Sequence, residues 1–147
     1  MLTAGSFTCD VTVNGTLDLS RNGVWWVGGT SPRRQLAPMT LCAGEIRLSG
    51  SSISGTVTLV ADEIQISDSS LNLTANEHGV LAFATGNDSD ALRMSGSSSR
   101  FLGDLMALSG QVNLSGSSGQ INGSVFGLTV SISGSNWTID ARVTVSP

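Results

Sequence analysis

The chain contains no lysine and no tyrosine, one histidine and two cysteines in 147 residues. Charged residues make up only 12% of it, about half the share usual in globular domains. Its polarity is carried by serine, threonine, asparagine and 18 glycines, residues that suit turns and strand faces better than helix surfaces. Basic charge is scarce as well. All seven basic residues are arginine, the net charge is −4, and the one basic cluster is Arg33-Arg34. That excludes the basic stripe nucleic-acid binding requires. No apolar run reaches the ~18 residues of a membrane helix. The opening "MLTAGSFTCDVTV" lacks the basic start and apolar stretch of a signal peptide, which leaves a cytosolic chain or a piece of a longer exported protein; the piece is expected, because the sequence opens almost directly on a strand pattern.

Catalytic and metal signatures are equally thin. His78 stands alone in a loop, with no nucleophile elbow beside it. Cys9 and Cys42 lie 33 apart without a Cys-x-x-Cys or a nearby histidine, which leaves a disulfide or two buried thiols, and no metal site or cofactor is expected. Glu45 and Glu63 are 18 residues apart, and Trp25-Trp26 is the one adjacent aromatic pair. These four residues are the candidate ligand or partner surface, the glutamates as an acid pair and the tryptophans as a cap or a stacking platform for sugar.

What the sequence does contain is a repeat. A Ser-Gly-Ser-Ser-like turn begins at Ser49, Ser67, Ser95, Ser115 and Ser133, at spacings of 18, 28, 20 and 18. One residue before each serine stand Leu48, Ile66, Met94, Leu114 and Ile132; three before stand Ile46, Ile64, Leu92, Val112 and Val130. The residues between them are all polar, which is the period-2 alternation of a strand with one face buried. Further strands follow each turn, and Gly55, Gly103 and Gly123 mark the next corner.

A repeat this short cannot bury its apolar face alone; stacked coils can. The expected fold is all-β: one parallel β-helix (β-solenoid) domain over residues 1–147, right-handed as parallel crossovers are, with about 18–20 residues per coil. The rival is an antiparallel sandwich, which gives no reason for like residues to recur at a fixed offset. Two stretches break the period and are read as insertions, residues 21–40 and 75–91; within the second, "VLAFAT" reads as a strand and "GNDSDA" as a protruding loop. "VTVNGTLDL" reads as an earlier coil with Asn14 in the serine's place.

The stretch from Leu92 to Asp140, with its "LSGQVNLSGSSGQINGSVFGLTVSISGSNWTID", resembles the C-terminal β-helical segment of bacterial Tad/Flp-type pilus-assembly (TadE/TadG-like) envelope proteins. More loosely it resembles the polymer-forming bactofilins. The resemblance implies an extracytoplasmic, non-catalytic module acting as stalk, spacer or adhesion surface, with a cell-surface or polysaccharide partner. Two other functions follow from other features: a carbohydrate-binding or polysaccharide-cleaving β-helix using Trp25, Trp26, Glu45 and Glu63, and a bactofilin-like self-polymerising scaffold joined through the unpaired strand edges at its ends.

Overall fold

The computed structural model describes residues 4–19, 26–27, 35–51, 54–69, 71–88, 90–139 and 143–145. A short 3-10 turn at Ala4–Ser6 precedes fourteen strands: β1 (Val11–Leu19), β2 (Trp26–Val27), β3 (Gln35–Ser51), β4 (Ser54–Ala61), β5 (Glu63–Ser69), β6 (Asn72–Thr74), β7 (Val80–Ala84), β8 (Leu92–Ser97), β9 (Arg100–Leu102), β10 (Asp104–Leu114), β11 (Gln120–Asn122), β12 (Val125–Ile132), β13 (Thr138–Ile139) and β14 (Val143–Val145). Every pairing between these strands is parallel. The chain is a parallel β-solenoid of about five turns.

Three columns of strands form its sides. The first holds the repeat. Leu19 pairs with Leu48, Leu48 with Ile66, Ile66 with Met94, Met94 with Leu114 and Leu114 with Ile132. Leu48, Ile66, Met94 and Leu114 are fully buried, whereas Ile132, on the last rung of this column, is 44% exposed. The second column stacks Val11, Leu41, Leu59, Ala82, Leu105 and Val125. The third stacks Leu73, Phe101, Ile121 and Ile139. From Leu48 to Leu114 in the first column, Val11 to Val125 in the second and Leu73 to Ile139 in the third, the side chains meet in one apolar interior. Each fully buried Leu, Ile, Val or Phe contributes about 1.5–3 kcal/mol, and like-on-like stacking is what lets so short a repeat collect that term.

The Ser-Gly-Ser-Ser turn is the corner between the first and third columns. Gly96, Gly116 and Gly134 have φ of +137°, +106° and +96°, and Ser98, Ser118 and Asn136 also adopt positive φ. Stacking tightens the glycine requirement further. A Cβ at Gly116 would run into the carbonyl oxygen of Gly96 in the coil below.

Three details of the sequence reading are corrected. Asn14 does not occupy the serine position: it sits between the part of β1 that pairs with Leu41–Ala43 and the part that pairs with Glu45–Leu48. Leu19 is thus the rung directly below Leu48 and lies 29 residues before it in sequence. Residues 35–40 of the first expected insertion belong to β3. Gly55 is no corner either, since it lies within β4, level with Leu36 and Leu73. The strand expected in the second insertion is present: Val80–Ala84 belongs to the second column, and the extra residues divide into two outgrowths, one at each of its ends.

Candidate functional site

Glu45 and Glu63 are adjacent rungs of the first column, directly paired in register. Glu45 is already engaged: one carboxylate oxygen accepts from the Arg47 Nε–H at 3.0 Å and the other from the Thr16 hydroxyl at 3.4 Å. Glu63 is pushed above the usual carboxylate pKa by burial first, then by the negative charges of Glu45, Asp88 and Asp90, with Arg47 opposing. A stacked pair with one raised member has the form of an acid/base couple, but Glu45's ion pair commits it to Arg47. The acidic track ends after two rungs, because Ala91, which comes next, is buried and its carbonyl accepts the Ile64 N–H at 2.9 Å. The Trp26 backbone pairs with Gln35 at the start of the third column, away from the glutamate column. Trp25 and the Trp26 side chain lie outside the described residues. Above the glutamates, Gln65, Ser67, Arg93, Ser95 and Ser115 line a shallow polar groove on the same side.

A second assembly was not foreseen. In β4, β7, β10 and β12, apolar residues point both inward and outward. The outward row on the second column is Cys42, Val60, Phe83, Met106 and Phe126, one residue per coil in register. The N-terminal segment 4–10 lies across the first three of these rungs as a strap. Phe7 is 6% exposed and packs with Cys42, Val60, Val80 and Phe83 as a small core outside the solenoid wall. Its ring lies 5.2 Å from that of Phe83 and edge-on to His78 at 5.5 Å.

The strap is fastened at four points. Cys9 is disulfide-bonded to Cys42. Asp10 and Thr40 exchange two bonds, Asp10 N–H to the Thr40 carbonyl at 2.9 Å and Thr40 N–H to an Asp10 carboxylate oxygen at 2.8 Å. The Thr8 N–H donates to Glu77 at 3.0 Å, and His78 Nε2 donates to the Ser6 carbonyl at 2.9 Å.

Glu77 and His78 belong to the first outgrowth of the coil between Ile66 and Met94, the turn 75–79. That turn is built to hold them in place. The buried Thr58 hydroxyl accepts the N–H groups of Asn76 and Glu77 and donates to the Val80 carbonyl at 2.7 Å. The Thr40 hydroxyl donates to Glu77 at 2.7 Å and accepts from the Asn76 side-chain amide at 3.3 Å. The lone histidine and an acidic residue of the insertion therefore serve as a clasp for the N-terminal strap.

Magnitudes show how much the covalent tie matters. Fixing seven backbone residues costs about 7–14 kcal/mol. Burying Phe7 returns about 2–3 kcal/mol, and the four hydrogen bonds about 1 kcal/mol each. The cross-link, closing a sequence separation of 33, stabilises the whole fold by about 3–4 kcal/mol through restriction of the unfolded chain, and in the folded chain it ties the strap to β3 covalently.

Among the described residues no three His, Cys, Asp or Glu side chains converge as a metal site. No family model, curated protein or solved structure matches the chain.

Proposed function

We propose that this chain is a non-catalytic structural module, a rigid spacer on the extracytoplasmic side of a cell envelope. The observation that carries the reading is the unbroken column from Leu48 to Ile132, a stack in which each coil is braced by the coils on either side. Parallel strands hydrogen-bonded along the axis resist bending and leave the sides free for other roles. The outward positions of the first column, Asp18, Arg47, Gln65, Arg93, Asn113 and Ser131, are all polar and of mixed charge, as suits a contact surface. The Cys9–Cys42 bond is of the kind retained in oxidising compartments, which supports the export part of the reading, as does the resemblance to pilus-assembly envelope proteins. The test is to trap thiols in intact cells with an alkylating agent and read the state of this pair by mass spectrometry. The pair is expected fully oxidised; a fully alkylated pair overturns the extracytoplasmic assignment.

A polysaccharide-cleaving function is the second reading, favoured by the stacked Glu45 and Glu63 and by the raised pKa of Glu63. Depolymerisation assays on acidic and neutral polysaccharides decide between the two. The spacer reading expects no turnover. Turnover that disappears in Glu45→Gln/Glu63→Gln overturns it.

A further inference from the structure

Asn-Gly occurs three times in the chain, at Asn14, Asn22 and Asn122. The dipeptide is chemically weak, because no Cβ on the glycine hinders attack of its amide nitrogen on the asparagine side chain. The attack needs a backbone free to turn and an asparagine in contact with water. Asn22 lies outside the described residues. The other two pairs have opposite surroundings. Asn122 ends β11 in register with Leu102, and its carbonyl accepts the Gly103 N–H at 2.9 Å. The Ser124 N–H donates to an Asp104 carboxylate oxygen at 2.9 Å, and the Asn122 side-chain oxygen is buried. A Cβ at Gly123 would run into the Gly103 carbonyl one coil below, so this backbone has no room to rotate.

Asn14 and Gly15 are held by nothing comparable. The register of β1 on β3 jumps from Val13–Ala43 to Thr16–Glu45, so two residues face the single residue Gly44. That is a β-bulge, and it leaves Asn14 and Gly15 outside the ladder. Both are exposed. Gly15 has φ of +102°, and a Cβ built on it would meet nothing within 4 Å. Among the described residues β1 pairs with β3 alone, so no strand lies on its other edge.

We propose that Asn14–Gly15 is a site of spontaneous modification, at which the folded chain converts its own asparagine to aspartate and isoaspartate while Asn122 stays intact. The Gly15 amide nitrogen, having given up its proton, attacks Asn14 Cγ and closes a five-membered succinimide ring. The bond from Cγ to the side-chain nitrogen breaks, and ammonia leaves with the proton. Water then adds to one of the two ring carbonyls, whose bond to the ring nitrogen breaks as that nitrogen takes up a proton. Opening at the side-chain carbonyl gives aspartate; opening at the main-chain carbonyl gives isoaspartate. One water enters, one ammonia leaves, and no oxidant or reductant takes part.

The product acts on one rung. Isoaspartate carries the main chain through the former side chain and adds a carbon to the backbone. The bulge is where β1 passes from the second column to the first, so the longer link moves Thr16–Leu19 against Glu45–Leu48. On its other side β1 is anchored by the Asp10–Thr40 bonds and the Cys9–Cys42 disulfide, which keep Val11–Val13 on Leu41–Ala43. The loosening is therefore confined to the first-column half of the end coil.

The test incubates the oxidised protein at mildly alkaline pH, folded and in guanidinium chloride, and follows each site by mass spectrometry of tryptic peptides. Cleavage after Arg21 separates Asn14 from Asn22, and Asn122 lies in the peptide that follows Arg100. In the folded protein Asn14 is expected to react within about 10-fold of its rate in guanidinium, and Asn122 at least about 100-fold below its own. Protein carrying isoaspartate at position 14, isolated by anion exchange, is expected to exchange the Thr16–Leu19 amides at least about 10-fold faster than fresh protein, with Thr12 and Leu92 unchanged. Asn14→Gln, incubated in the same way, is expected to stay unmodified at that position and to keep its slow exchange. Folding that protects Asn14 as strongly as Asn122 overturns the site. Unchanged exchange at Thr16–Leu19 in the isoaspartate form overturns the loosening, and lost protection at Thr12 or Leu92 overturns its confinement to half a coil.

Discussion

The coils from Leu92 to Ile139 and the long coil from Leu71 to Ala91 solve the same stacking problem with different amounts of chain. The regular coils turn on glycines so tightly that the carbonyl of one coil occupies the space a Cβ would need in the next. The long coil keeps the same inward residues, Leu73 and Ala82, in register and places its surplus outside, where Glu77 and His78 grip the N-terminal strap. The interior pattern dictates the fold, and the departures from it build the surface that distinguishes one side of the solenoid from the others.

Substitutions along one column are the strongest way to break that comparison. Leu114→Ala, in the middle of the stack, is expected to cost about 3 kcal/mol, whereas Ile132→Ala on the exposed last rung costs under about 1 kcal/mol, both read from urea unfolding. Equal costs would mean that the coils do not brace one another. Glycines give the next contrast. Gly116→Ala combines positive φ with a backbone clash and is expected to cost about 2–4 kcal/mol. Gly79 in the clasp also has positive φ, at +70°, but its missing Cβ would meet nothing within 4 Å, so Gly79→Ala is limited to the conformational penalty of about 1–2 kcal/mol.

Smaller effects test the clasp and the glutamate pair. Glu77→Gln keeps the shape but weakens the acceptor for Thr8 and Thr40, and is expected to cost about 1 kcal/mol, visible as faster exchange at Thr8 with Leu92 unaffected. Glu63 has the least to contribute. Its pKa is raised in the folded state, so the native protein holds the proton more tightly than the unfolded chain. Stability therefore falls as pH rises from the ordinary carboxylate range up through the raised value, and the loss remains at neutral pH. Glu63→Gln is expected to be more stable than wild type at neutral pH, by no more than about 0.5 kcal/mol, with the difference vanishing in acid. A variant less stable at neutral pH would contradict the direction of the shift.

The stack was legible because its signal is local and repeated. Ile, Leu, Met and Val recur at one and three residues before a serine, and no antiparallel arrangement explains the fixed offset. The level of Asn14 was misread because an Asn-Gly turn looks like the serine corner, and only the pairing of Leu19 with Leu48 reveals which corner it is. The strap was not legible. "AGSFTCD" has no period, and its partners Glu77 and His78 lie about seventy residues away, in a turn that resembles an ordinary solvated loop. One trace of it was present. Val60, Phe83, Met106 and Phe126 make their strands apolar on both faces, which a wall open to water on one side would not need.

The claim beneath all of this is that successive coils lie parallel and in register. Nuclear Overhauser contacts between side chains test it most directly. The account predicts contacts from Leu48 to Ile66, from Ile66 to Met94 and from Met94 to Leu114, with none from Leu48 to Leu114. Cross-strand contacts between Cα protons of Leu92–Ser97 and Arg100–Leu102, the signature of an antiparallel hairpin, would contradict it.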